Sequence, residues 1–252
     1  MGPSRGALDN KVAVITGASS GIGAALAQAF SEAGAGLALL ARRAERLEEV
    51  AARCPGRALT LAGDVTAPRD RQKLVEQTED TFGRVDILVN NAGLGAYGPF
   101  LDSTEEQWRD LWEVNLLAPV LLTRAFLPGM IAQGQGLILN IASIGGLVAH
   151  ADKVAAYVTS KHGLVGFSRG LAKDLAGTGV RVKAVCPHLT ATEFFRTGPG
   201  AGEMSAQAKR YRESMDSPEE VAAGVLAGLG GEGLILFPTD RPARAFSRMR
   251  DI

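Results

Sequence analysis

Tyr157 and Lys161 stand four positions apart in AAYVTSKHG, a stretch that is otherwise small and apolar. Residues at that spacing share one face of a helix, so a phenol and an ammonium can point into a single cleft. A phenol ordinarily titrates near about pH 10, and a neighbouring ammonium favours phenolate, so Tyr157 is expected to come down toward neutrality as an acid-base group. A second chemical signal is TGASSGIG, residues 16 to 23, in which Gly17, Gly21 and Gly23 surround Ser19, Ser20 and Ile22. Such glycines let the backbone turn tightly against a pyrophosphate, and the helix that follows offers unpaired N–H groups and a positive dipole end. A dinucleotide is implied. The spacing differs from G-x-G-x-x-G and lacks the lysine of a P-loop, which disfavours a nucleoside triphosphate.

The dinucleotide is read from LALLARRAERL. An NAD site usually ends this strand with an acid for the ribose 2'-OH, whereas here Ala41 is followed by Arg42 and Arg43. Guanidinium groups suit a 2'-phosphate, so NADP(H) is expected, the alternative being that both arginines open a solvated helix. On the first reading, Arg42→Ala raises the Michaelis constant for NADPH far more than that for NADH. Ser143, at the end of GLILNIAS and before the flexible IGG, can donate to a carbonyl oxygen as negative charge develops there. Its flanks are not the G-x-S-x-G elbow of a nucleophile.

These groups need a scaffold, and the chain spells one out. Short aliphatic runs (KVAVIT, LALLA, ALTLA, DILVNN, GLILNIAS, VRVKAVC, GLILFP) alternate with longer helical segments. That rhythm predicts an α/β fold, a doubly wound parallel sheet of seven strands with helices on both faces and ligands beyond the strand C-termini. Ile22, Leu26, Ala29 and Phe30 fall on one helical face, and Gly34 marks its stop. Helix starts are expected at the capping boxes STEE, 103 to 106, and SPEE, 217 to 220. No linker, repeat or composition shift divides residues 1 to 252, so a single domain is expected.

TGASSGIG, NNAG at 90 to 93, the serine of LNIAS and YVTSK occur in the order and approximate spacing of the short-chain dehydrogenases/reductases. From Lys11 to about Phe237 the chain resembles that family, of the single-domain, NADP(H)-preferring type, a Rossmann-type fold. The resemblance implies that Tyr157 exchanges a proton with a substrate carbonyl or alcohol as hydride moves at the nicotinamide, whose positive charge when oxidised further favours phenolate. It implies that Lys161 also holds the nicotinamide ribose, that Ser143 stabilises the oxyanion, and that Asn115 of WEVNLL holds a water relaying protons to Lys161. A helix asparagine that merely bonds backbone is the other reading of Asn115. Asp64 and Val65 correspond to the pair beside the adenine, and Asn91, Ala92 and Gly93 to residues against the adenosine ribose and the chain turn. Asn90 and Asn91 could instead tie the sheet together. Pro187, Thr190 and Thr192 match positions near the nicotinamide. Where the family shows asparagine and then Pro-Gly, this chain has Lys183 and Pro187-His188, so His188 either reshapes the loop or projects toward substrate.

The same resemblance makes 193 to 216 a mobile substrate lid and pairs the helices of Asn115 and Tyr157 with symmetry mates, giving a homodimer or homotetramer. Leu94, Leu147, Val148, Val154 and Phe194 are candidates for an apolar substrate wall. The expected activity is reversible NADPH-dependent reduction of a small ketone or aldehyde. A hydroxy-amino-acid dehydrogenase is the alternative within the class, and a non-catalytic NADP(H) sensor the alternative outside it. Arg241, Arg244, Arg248 and Arg250 could bind an anion or belong to a solvated helix.

Bulk properties narrow the partners. Of the 252 residues, 46% are hydrophobic and 21% charged, with 27 basic against 27 acidic side chains, so no whole-surface field draws in nucleic acid or an anionic membrane. LWEVNLLAPVLLTRAFLPGMIAQG carries Glu113, Asn115 and Arg124 and reads as a poor membrane span. Two scattered cysteines, Cys54 and Cys186, and no charged-then-apolar leader in MGPSRGALDN point to the cytoplasm. With three histidines (His150, His162, His188) the cysteines show no metal spacing.

Overall fold

Each apolar run becomes a strand, and the segments between them become helices. A computed structural model describes residues 6–149 and 151–249. In chain order it runs β1 (Val12–Thr16), α1 (Gly21–Glu32), β2 (Gly36–Ala41), α2 (Ala44–Ala51), β3 (Ala58–Ala62), α3 (Pro68–Phe82) and β4 (Ile87–Asn90). Then follow α4 (Glu105–Trp112), α5 (Ala118–Ala132), β5 (Gly136–Ile141), α6 (Ala155–Asp174), β6 (Val180–Val185), α7 (Ala201–Arg210), α8 (Pro218–Gly228), β7 (Ile235–Leu236) and α9 (Asp240–Met249). The seven strands form one parallel sheet in the order β3-β2-β1-β4-β5-β6-β7. The order reverses between β1 and β4, where an open α/β sheet leaves a crevice beyond its strand ends.

Side chains alternate between two cores, because successive strand residues point to opposite faces. Ala13, Ile15, Leu37 and Leu39 pack with Leu26, Phe30, Val221 and Val225 on the face covered by α1 and α8. Val14, Ala38, Leu40 and Ile138 pack with Leu74, Leu122, Phe126 and Met130 on the face covered by α3 and α5. Burying such a side chain fully stabilises the fold by about 1.5–3 kcal/mol, which is why both faces are covered. On α1, Leu26 and Phe30 are fully buried while Ile22 and Ala29 flank them, and Gly34 ends the helix at φ +102°. At the sheet centre Asn90 donates to Asn140 (2.8 Å) and Thr123 (3.2 Å), and Asn140 donates to Ser168 (2.9 Å). These bonds satisfy polar groups that would otherwise be costly to bury.

Three local expectations change. The α4 cap is Thr104, which accepts from the Gln107 N–H, with Gln107 bonding back; the box is one residue later than STEE. Ser103 accepts from the Trp108 indole instead. The cap at Ser217, with Pro218 and Glu220, stands as expected. β7 is shorter than GLILFP, spanning Ile235–Leu236, and the Lys183 ammonium donates to the Gly231 (2.6 Å) and Gly233 (2.9 Å) carbonyls at the approach to the strand. Finally, Glu113 and Asn115 lie in a π-helical turn, Glu113–Leu117, that joins α4 and α5 into one helical run. Glu105–Ala132 is continuous over 28 residues and, at mean hydropathy 1.5, long and apolar enough to cross a membrane by length and composition. In this fold Leu111, Ala118, Leu122, Phe126 and Met130 are buried along it.

Candidate active site

The loop after β1 is shaped by contacts that only glycine tolerates. Gly17 lies at φ +65°, and a Cβ there would sit 2.9 Å from the Ala92 Cα. The Asn91 amide donates to the Thr16 (2.9 Å) and Gly17 (3.3 Å) carbonyls, so its NH2 is spent on holding this loop against the β4 turn. Ser20 occupies the N-cap of α1 without capping it by its side chain, which leaves the first-turn N–H groups facing the crevice. Its hydroxyl accepts instead from Arg43 Nη2 at 2.7 Å, and Ser19 accepts from the same nitrogen at 3.2 Å.

Arg43 is thereby fixed at the end of β2 as an anion seat, and a carboxylate fills it. Glu193 accepts from Arg43 Nη1 at 2.8 Å and, through its other oxygen, from Arg46 Nη1 at 2.6 Å. Hydrogen bonds from Arg43 and then Arg46 hold the Glu193 carboxyl down at about 2. Arg42 also lines the crevice and is exposed like Arg43, but it is Arg43 that bonds the glycine-loop serines and Glu193. A glycine cradle at a helix N-terminus fits the diphosphate of a dinucleotide, and the arginine seat beside it can hold an anion. Asp64, Val65, Asn91, Ala92 and Gly93 line the same crevice. The Asp64 carboxylate is engaged with the Thr66 N–H (2.9 Å) and hydroxyl (2.8 Å).

Ser143, Tyr157 and Lys161 line this cleft too, which has a volume of about 820 Å³. α6 presents Tyr157 and Lys161 from one face, and the loop after β5 brings Ser143 beside them. Ser143 Oγ accepts from the Gly145 N–H at 3.0 Å, and a hydrogen bond to Tyr157 favours its phenolate. The expected depression of the phenol is nevertheless not met by the chain's own groups. Desolvation outweighs the Ser143 bond and pushes Tyr157 up to about 12. Lys161 contributes little because its ammonium lies 5.9 Å from the ring centre and donates to the Ile141 carbonyl at 2.9 Å. Burial lowers Lys161 to about 8.

These two shifts have opposite signs in stability. Between about pH 8 and pH 10 the unfolded chain keeps a proton on Lys161 that the folded chain has lost, so stability rises with pH. Above about pH 10 the folded Tyr157 keeps a proton the unfolded chain has lost, and stability falls. In urea unfolding, the stability of the parent relative to Lys161→Met is expected to grow from about pH 8 to about pH 10. A difference that stays flat over that window overturns the assignment.

Asn115 is fully buried within a π-helical turn, Glu113–Leu117, that joins α4 to α5. Pro119 has no N–H, so the ordinary helical bond back to the Asn115 carbonyl cannot form. Its amide accepts from the Leu94 N–H (2.8 Å) and donates to the Leu94 carbonyl (2.9 Å) and Ser160 Oγ (3.0 Å). Ser160 in turn donates to the Tyr157 carbonyl at 2.7 Å. Asn115 thus bonds backbone, but that of the β4 loop, and it positions the helix of Tyr157.

The substrate end is apolar. Leu94, Val154 and Phe194 line it as expected, whereas Leu147 packs away against the cluster of Ala142, Leu164 and Cys186, and Val148 is not a lining residue. Tyr97, Met204 and Tyr211, which the motifs did not single out, complete the wall. The Phe194 ring meets Tyr157 edge-on at 5.7 Å and Phe195 at 5.8 Å. Pro187, His188, Thr190 and Thr192 all reach the cleft. Two of their hydroxyls are engaged locally, Thr190 donating to the His188 carbonyl (3.1 Å) and Thr192 accepting from the Phe194 N–H (3.2 Å).

Residues 193–216 fold as a short turn, α7 and a second turn over the cleft, and their far end is pinned at Asp216. That buried carboxylate accepts from Thr239 (2.7 Å) and pairs with Arg241 (3.3 Å). Arg244 pairs with Asp240 at 3.2 Å, so two of the tail arginines are bound to carboxylates rather than open to an anion. Arg250 and His150 lie outside the described residues. Cys54 and Cys186 are buried and unpaired, and no cluster of three metal-ligating side chains occurs among the described residues.

Comparison with known proteins gives a consistent result. A family model described as short chain dehydrogenase matches residues 11–199. A short chain dehydrogenase from Pseudocercospora fijiensis is 40% identical over 196 residues, covering 75% of this chain and 63% of that longer protein. Among solved structures, a short-chain dehydrogenase from Streptomyces avermitilis superposes with a TM-score of 0.85 at 34% identity, covering 96% of this chain and 92% of its own. L-Sorbose reductase from Gluconobacter frateurii, complexed with NADPH and L-sorbose, gives a TM-score of 0.81 at 31% identity over 93% of this chain and 97% of its own.

Proposed function

Because this chain belongs to the short-chain dehydrogenase/reductase family, we propose that it is an NADP(H)-dependent oxidoreductase that reduces an apolar ketone or aldehyde, reversibly, to the alcohol. The observation that carries the reading is one cleft lined at one end by the Gly17 loop and Arg43 and at the other by Ser143, Tyr157 and Lys161. The NADPH held by the sorbose reductase supports the same coenzyme. Bound NADP(H) would supply or accept the hydride and, when oxidised, a positive charge near the phenol.

Ser143 donates to the substrate carbonyl oxygen as charge grows there. Tyr157 gives its proton to that oxygen in reduction and takes it back in oxidation. Lys161 holds the ribose hydroxyls, and Asn115 fixes the loop and helix on which that geometry depends. Phe194, Tyr97 and Met204 exclude water from the reacting end and favour an uncharged, bulky substrate.

The test follows the loss of NADPH absorbance across aliphatic, aromatic, diketone and quinone substrates. Turnover is expected with apolar ketones or aldehydes, and coenzyme binding with no reduction of any of them would sink the reading. We also propose a homodimer or homotetramer formed through Glu105–Ala132 and α6, since Trp112 (43% exposed), Leu117 (40%) and Ile131 (42%) leave apolar surface on that helix. Light scattering at micromolar concentration should give a multiple of 26.3 kDa, and a monomeric mass would refute it.

A further inference from the structure

The carboxylate on Arg43 comes from the lid. Glu193 opens the turn Glu193–Arg196 with which residues 193–216 begin, and it reaches across the crevice to the end of β2. Both its oxygens are engaged, one by Arg43 and one by Arg46. Arg43 meanwhile spends its Nε and Nη2 edge on Ser19 and Ser20, so the Nη1 that Glu193 holds is the part left for an incoming anion. The neighbouring Thr192 methyl packs 3.0 Å from the point where a Cβ on Gly21 would stand, so the same backbone turn also leans on the phosphate loop.

We propose that Glu193 is a specificity-determining residue, an internal anion seated where the coenzyme's 2'-phosphate goes, which the 2'-phosphate must expel in order to bind. A carboxylate and a phosphate cannot share one guanidinium edge without bringing like charges together. Binding of the 2'-phosphate therefore frees the first turn of the lid, whereas a ligand without that phosphate leaves Glu193 in place. The lid is in this way tied to the feature that distinguishes NADP(H) from NAD(H). The proposal rests on the NADP(H) reading of Arg43 and can fail independently of it.

The test is calorimetric titration of the whole protein and of Glu193→Gln with 2',5'-ADP and with 5'-AMP, fragments that differ only by the 2'-phosphate. Glutamine keeps the size of the side chain and removes the charge that holds both arginines. The variant is expected to bind 2',5'-ADP roughly threefold to tenfold more tightly than the parent, the range that two partly exposed ion pairs can withhold, and 5'-AMP with unchanged affinity. If the parent prefers 2',5'-ADP to 5'-AMP but the variant binds 2',5'-ADP no better than the parent, Glu193 does not compete for the seat while the NADP(H) reading stands. If neither protein prefers 2',5'-ADP, the arginine seat and the proposal fall together.

Discussion

Tyr157→Phe is expected to lower kcat by roughly a hundredfold to ten-thousandfold, the range lost with a positioned general acid, while NADPH affinity stays within about twofold. The substitution removes one oxygen. The ring that packs edge-on against Phe194 at 5.7 Å remains, so the cleft keeps its shape. The Lys161 ammonium stays on the Ile141 carbonyl, 2.9 Å away. Single-turnover rates and coenzyme titration separate the two effects. Residual turnover within tenfold of the parent would mean that another group delivers the proton. Burial pushes the phenol up to about 12 in the free protein, and the positive charge of a bound oxidised coenzyme would bring it back down. In the oxidation direction its pH profile should accordingly reflect the coenzyme complex rather than the free protein.

Arg43→Ala should weaken NADPH binding by roughly tenfold to a hundredfold and NADH binding by less than about threefold. The side chain donates to both glycine-loop serines, at 2.7 Å to Ser20 and 3.2 Å to Ser19. Its loss also leaves Glu193 on Arg46 alone, a negative charge beside the vacated seat that repels the 2'-phosphate. Arg42→Ala should have a smaller effect, since the bonds to the glycine-loop serines and to Glu193 are made by Arg43. Dissociation constants measured for both coenzymes decide the matter, and equal losses for NADPH and NADH would overturn the assignment.

Much of this was legible in the sequence because the relevant physics is local. The glycine loop, the Tyr157 and Lys161 spacing and the strand runs each occupy a few consecutive residues, and their backbone requirements are written in residue type. What escaped depends on pairs far apart. Nothing in RRAER says that Arg46 shares a carboxylate with Arg43. The partner, Glu193, lies 150 residues beyond Arg43. Leu147 was misplaced for the same reason, since an apolar loop residue reads alike whether it faces a cleft or a core. The burial that raises the Tyr157 phenol in the free protein was not legible, because charge spacing is visible in a sequence and desolvation is not. The Thr104 cap shows the narrower limit of one residue, where Ser and Thr are adjacent and either could begin the helix.

The strand order also governs how such a molecule comes into being. Val14 lies beside Ala38 on one side and Leu88 on the other, and every neighbouring pair in the sheet is parallel, so no tight hairpin can nucleate it. Each pairing waits for a crossover to close, a topology that folds slowly and exposes unpaired strand edges on the way. The Gly17 loop, the Asn91 turn, Ser143 and Tyr157 meet only when the middle of the sheet is complete. Truncating Val225 or Leu226 in α8, which pack in the core and do not line the cleft, should lower the yield of active molecules while leaving the KM of the survivors unchanged.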